Sequence, residues 1–201
     1  MIYDDLVTRL DAFPPSKERD AFARFVSSGG DAALRREGGP EHITASCFVF
    51  SPDLRSTLLC FHRKGGFWVQ FGGHVEQQDE SVAQTALREA REESGIRDLT
   101  LLSDEIVDLH RHELHGRFAC SAHWDIGFVA IADPHASITV SDESEDVRWF
   151  PVDELPADSA HELDVRRDLA LRAAAPSAAP SARHERTTGC ARSVDNARAR
   201  R

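Results

Sequence analysis

No stretch of the 201-residue chain is apolar for long enough to cross a bilayer. The opening MIYDDLVTRL also lacks the basic-then-apolar order of a signal peptide, so a soluble, cytoplasmic protein is expected. A basic surplus is missing as well. With 24 Lys and Arg against 34 Asp and Glu the formal charge is −10, which argues against general nucleic-acid binding. An anionic substrate would gain nothing from the overall field and would need local cations, a bound metal or a few Arg side chains. Cysteine is sparse. Cys47, Cys60, Cys120 and Cys190 stand far apart with no C-x-x-C pair, which reads as reduced thiols, the first three in or near the core, in preference to disulfides or a zinc site. The H-E-x-x-H zinc motif is absent too, because one residue separates Glu113 from His115 where two are needed. The stretch 110–115 is therefore expected to be a solvated loop between strands.

What is present, at 41% hydrophobic content, suffices for one domain with a substantial core plus appendages. Residues 1–40 read as a helical leader. Residues 2–10 form one short helix ending before Pro14-Pro15, and Ser16 caps a second whose apolar stripe is Ala21, Phe22, Phe25 and Val26. That stripe must be buried against the domain that follows or, as the alternative, against a second copy in a homodimer; the first is expected. Residues 41–172 form the main domain. Strands are expected at 43–50, 57–62, 67–71, 99–110, 118–132 and 147–150, with a closing helix within 158–174. Strands in mixed order with helices before, between and after them predict an α/β (α+β) chain folded as an α/β/α sandwich with a mixed sheet. From residue 173 the composition turns to Ala, Pro, Ser and Arg, with a charge of about +4 and no apolar periodicity. This predicts a disordered tail over 173–201.

The chain is organised around residues 72–96, GGHVEQQDESVAQTALREAREESGI. Ala83, Ala86, Leu87 and Ala90 recur at the three-and-four spacing of a buried helical stripe, Asp79 and Ser81 are candidate caps, and Gly95 stands where a left-handed residue would end the helix. Glu89, Glu92 and Glu93 then project from neighbouring positions on one face. Three like charges so placed repel. Arg88, one turn from Glu92, and Arg91 offset part of this, and a divalent cation would offset more. Carboxylate oxygens suit Mg²⁺, or Mn²⁺, over a soft metal. Gly72 and Gly73 leave the backbone free to approach a metal or phosphate.

The run Gly73, Glu80, Arg88-Glu89-Ala90-Arg91-Glu92-Glu93-Ser94-Gly95-Ile96 resembles the Nudix box, G-x5-E-x7-R-E-U-x-E-E-x-G-U with U aliphatic. The match is complete from Glu80 onward. Gly73 to Glu80 encloses six residues where the pattern has five, read here as a one-residue loop insertion, although Asp79 would satisfy the first spacing. Trp68-Val69-Gln70-Phe71-Gly72-Gly73 resembles the W-x-x-P-G-G that often precedes the box, with Phe71 in place of proline. The resemblance implies the Nudix fold and Mg-dependent hydrolysis of a nucleoside diphosphate linked to another group. It implies metal ligands Glu89, Glu92 and Glu93 with a carbonyl of Gly72 or Gly73, and Arg88 orienting the glutamates. In such enzymes an acidic loop before a late strand often supplies a further ligand or the general base, which makes Glu143 and Glu145 candidates, against an ordinary acidic surface loop. His123 and Asp125 flank Trp124 in an apolar strand and either line the cleft or satisfy each other. ADP-ribose-like compounds, nucleotide sugars, dinucleotide polyphosphates and damaged nucleoside triphosphates all remain as substrate classes. A binding or regulatory module that has lost turnover is the alternative from another class.

Overall fold

The computed structural model describes residues 1–114 and 120–175. Helix α1 (Ile2–Ala12) buries Ile2, Leu6 and Leu10, one side of three successive turns. Each buried leucine contributes about 2 kcal/mol. Helix α2 (Lys17–Gly29) starts at Ser16, whose hydroxyl accepts from the Arg19 N–H, and buries Phe22 and Val26. Two 3-10 turns, Gly30–Leu34 and Arg36–Gly38, lead into strand β1 (Glu41–Phe50).

Strands β2 (Ser56–His62), β3 (Phe67–Val69) and β4 (Phe71–His74) follow, then helix α3 (Val82–Ser94). After it come β5 (Thr100–Leu101), β6 (Asp108–Glu113), β7 (Ala122–Ile131), β8 (Ser144–Pro151) and helix α4 (Leu163–Ala174). The sheet is mixed. β1 runs parallel to β7 from Glu41 opposite Ala122 to Phe50 opposite Ile131, while its pairings with β2 and β4 are antiparallel. β2 also pairs with β3 and β8, and β7 with β5 and β6.

β1 alternates its two faces. Ile43, Ala45, Cys47 and Val49 pack in the cluster with α1, α2 and α3, whereas Phe48 and Phe50 join Leu59, Trp68, Val129 and residues of α4. Helices therefore cover both faces, as the expected sandwich requires. The leader stripe packs on the sheet through Trp124, against which Phe25 stacks at 4.4 Å and Phe22 lies edge-on at 5.0 Å.

Several boundaries differ from the expected ones. The strand expected over 67–71 divides at Gln70, because β3 pairs with β2 while β4 crosses to β1. The stretch 99–110 yields two short strands separated by a bend around Ser103. His110 lies in a strand as expected, and β6 continues through Arg111, His112 and Glu113, which pair with β7 and do not lie in a solvated loop. The closing helix begins five residues later than 158. Asp158 and Ala160 instead hydrogen-bond the backbone of Trp68, and Glu162 enters α4 at a positive φ of 60°. His115, the strand start at 118–119, Cys190 and the expected tail beyond residue 175 lie outside the described residues. Among the described cysteines, Cys47 and Cys60 are buried and Cys120 is half-buried, all three as free thiols. No helix among the described residues is long and apolar enough to cross a membrane.

Candidate active site

Helix α3 places the carboxylates. Ser81 accepts from the Gln84 N–H at its start, Ala83, Ala86 and Ala90 bury its inner stripe, and Gly95 closes it in the left-handed region at φ 71°. The small inner residues let the helix lie close on β1 and β4, which brings Glu89 and Glu93 against the glycine pair. The Gly72 N–H donates to Glu93 at 3.2 Å. A Cβ on Gly73 would stand 2.5 Å from the Glu89 carboxyl carbon, so only glycine lets the strand pass the carboxylate undisturbed.

Arg88 is the cation of this cluster. Its guanidinium donates to Glu89 at 3.0 Å, to Glu92 at 3.1 Å and to the His74 carbonyl at 2.9 Å. It also grips Asp79 with two donors at 3.0 Å. Asp79 is buried and accepts further from the Glu76 N–H and the Thr85 hydroxyl, both at 2.9 Å. This corrects the reading of the loop. Asp79, separated from Gly73 by five residues, is the acid turned inward to Arg88. Glu80 is exposed, and only its backbone N–H engages the helix start, at Gln84. The added residue therefore lies between that acid and Arg88.

Burial pushes the Glu93 carboxyl up to about 8, opposed by the Gly72 N–H and reinforced by the charges of Glu89 and Glu143. Burial likewise raises Glu89 to about 7; Arg88 works against this, and Glu92 and Glu143 add to it. Burial alone would raise Asp79, yet its bonds to Arg88, the Glu76 N–H and Thr85 hold it below the ordinary range. Buried Glu93 and half-buried Glu89 are disfavoured in their charged form, and one guanidinium is shared among Asp79, Glu89, Glu92 and, at 3.8 Å, Glu76, which leaves a donor set short of positive charge. Hard oxygen ligands in that condition fit a divalent cation such as Mg²⁺.

Arg88, Glu89, Glu92 and Glu93 line a cavity of about 780 Å³ together with Gly73, His74, Gln77, Gln78, Ser141 and Glu143. Glu89, Glu92 and Glu93 thus meet Glu143 across one space. Glu145 does not line it; it is exposed on β8, on the far side of the buried Ser144. Of the glycines, Gly73 lines this cavity, and Gly72 faces a neighbouring one. Arg35 and Arg36, from the turns after α2, also line the carboxylate cavity. Sequence reading passed over them, since the only signal was two cations in the leader ahead of a glycine pair.

The neighbouring cavity, of about 300 Å³, shares Arg36, Gly73, His74 and Glu143 with the first and is lined further by His112, Cys120, His123 and Asp125. His123 and Asp125 do not satisfy each other. Asp125 is buried and accepts from Thr44 at 2.9 Å, Ser46 at 2.5 Å and Arg166 of α4 at 2.7 Å, and Arg166 also bonds Asp108.

Residues 40–170 match the model of the NUDIX domain family. Comparison with curated proteins gives no match. Among solved structures, a NUDIX-family hydrolase of Clostridium perfringens superposes with a TM-score of 0.54 at 22% identity, covering 66% of this chain and 97% of its own. A dihydroneopterin triphosphate pyrophosphohydrolase of E. coli gives 0.53 at 16% identity, over 67% and 97%. An Ap4A hydrolase of C. elegans gives 0.51 at 16% identity, over 63% and 93%.

Proposed function

The chain belongs to the NUDIX domain family, and on that premise we propose that it is a pyrophosphohydrolase cleaving a nucleoside diphosphate linked to another group, with Mg²⁺ as its cation. The observation that carries this reading is the convergence of Glu89, Glu92, Glu93 and Glu143 on one cavity, the first three steadied by Arg88 and the Gly72–Gly73 backbone.

Glu89, Glu92 and Glu93 would hold the cation, beside the backbone of Gly73. When bound, the cation supplies positive charge that neutralises the diphosphate oxygens and eases deprotonation of the attacking water. Arg88 fixes the rotamers of Glu89 and Glu92 and does not touch substrate, because its donors are spent on Asp79, the two glutamates and the His74 carbonyl. Arg35 and Arg36, which line the same cavity, are the partners for the substrate phosphates. Glu143, which reaches the cavity from the chain just ahead of β8, takes the proton from the water. Glu145, exposed outside the cavity, has no part in this.

Relatives of the same fold include proteins described as acting on Ap4A and on dihydroneopterin triphosphate. The first experiment is therefore hydrolysis of a panel containing ADP-ribose, a nucleotide sugar, a dinucleotide polyphosphate and 8-oxo-dGTP, with Mg²⁺ and with EDTA. Turnover of one class with Mg²⁺, absent with EDTA and absent in Glu93→Gln, is expected. Unchanged hydrolysis by a folded Glu93→Gln would remove α3 from the reaction. Mg²⁺ binding without turnover on any substrate would turn the reading toward a nucleotide-binding module.

A further inference from the structure

Three adjacent strands bring histidines to one face of the sheet. His42 on β1 is paired in register with His123 on β7, and His74 on β4 stands opposite Thr44, two residues along the same face of β1. Their rings lie 4.9–5.2 Å apart, centre to centre. Cys120, two residues ahead of β7, completes the group: one ligand atom from each of the four lies within 4.8 Å of the others.

Among the described residues, one nitrogen of each ring lacks a partner. The Nε2 atoms of His42, His74 and His123 are all buried without a hydrogen bond. His42, fully buried, lies with its Nδ1 3.4 Å from the Gly39 carbonyl. A proton on Nδ1 leaves the Nε2 lone pair turned into the cluster, the arrangement by which an outer carbonyl orients an imidazole toward a metal. Buried polar atoms are rarely left unpaired, and here three of one kind gather beside one thiol.

We propose that His42, His74, His123 and Cys120 form a tetrahedral zinc site, separate from the carboxylate cation site. Three imidazoles and a thiolate are a donor set for zinc, and four protein ligands leave no open position, which marks a structural site. Tetrahedral zinc needs ligand atoms about 3.3–3.7 Å apart, so a contraction of roughly 1 Å closes the cluster. The ion would tie β1, β4, β7 and the approach to β7 at one point. It would also hold the backbone of His74, whose carbonyl receives Arg88, so the zinc site supports the geometry of the neighbouring cavity without depending on what that cavity does.

The test uses the full chain purified without a histidine tag. Metal analysis should find one zinc per chain. After chelation, Co²⁺ should give the intense visible bands of tetrahedral coordination with a sulfur-to-cobalt charge-transfer band. Cys120→Ser should lose that band and bind zinc at least about 100-fold more weakly, and His123→Gln should lose zinc likewise, a second probe should the first variant fold poorly. Glu93→Gln, in the other cavity, should keep both zinc and band, which separates this proposal from the hydrolase reading. A chain that takes up no zinc when supplied with it, or a folded Cys120→Ser with unchanged spectrum and affinity, overturns the site.

Discussion

Arg88 serves four acids, and its strongest hold is on the one most deeply buried. Asp79 has a side chain only 2% exposed and receives two guanidinium donors, whereas Glu92, 60% exposed, receives one. Removing one member of a buried pair costs more than removing an exposed partner, because the remaining charge is left without compensation. Asp79→Ala should therefore destabilise by about 2–3 kcal/mol and loosen Glu89. Glu80→Ala, at an exposed position with no side-chain role, should stay within about 0.5 kcal/mol. Urea unfolding of the two variants checks this, and equal losses would return the inward position to Glu80. The glutamates of α3 were legible because helical spacing alone fixes which side chains share a face. The choice between Asp79 and Glu80 was not, since the turn of the loop decides it and spacing counts only residues.

Strand β4 carries two adjacent glycines with different duties. A Cβ on Gly72 would stand 2.5 Å from the Ser46 Cβ and 2.8 Å from the Ala45 carbonyl, where the neighbouring strand cannot yield. On Gly73 it meets the end of the Glu89 side chain, which can swing away but then leaves its place in the cavity. Gly72→Ala should accordingly cost about 1–3 kcal/mol of stability. Gly73→Ala should melt almost like the parent while binding Mg²⁺ about 10–100-fold more weakly. Calorimetric titration beside thermal melting separates the two, and a Gly73→Ala that binds Mg²⁺ normally would detach Glu89 from the cation. The strands themselves were legible where alternation was long, as in β1. They were misjudged where the chain changes neighbour, since Gln70 marks a change of pairing partner that no local pattern encodes. Arg166 was illegible for the same reason: its partners Asp108 and Asp125 are 58 and 41 residues away.

At the scale of the whole molecule, the leader buries its stripe against Trp124 and delivers Arg35 and Arg36 to the cavity. The apolar spacing announced the packing but not the delivery. For the other end, we propose that residues 176–201 are dispensable: their deletion should leave the melting temperature and hydrolysis nearly unaltered, and a large loss of either would give the tail a role.

The response of the metal-free fold to pH tests the carboxylate cluster most directly. Burial raises Glu93 from 4.5 to about 8 in the folded chain, so the folded state holds a proton that the unfolded state has already released. The stability this represents is complete below the ordinary carboxylate value and is lost as pH rises through about 8. His74 and His123, lowered to about 4 and about 3, act in the opposite sense, but only below about pH 6.5, where unfolded histidine takes up a proton. Between about pH 7 and pH 8 they are essentially neutral in both states, and the slope comes from Glu93, worth about 1 kcal/mol, with a smaller contribution of the same sign from Glu89, raised to about 7. The chelated protein should lose about 2–4 °C of melting temperature over that unit. Glu93→Gln should show a shallower slope. Mg²⁺, which binds the ionised carboxylates in competition with protons, should raise the melting temperature more at pH 8 than at pH 7. A flat profile in chelator, or a Mg²⁺ effect that shrinks with rising pH, would mean that Glu93 is not the group short of positive charge.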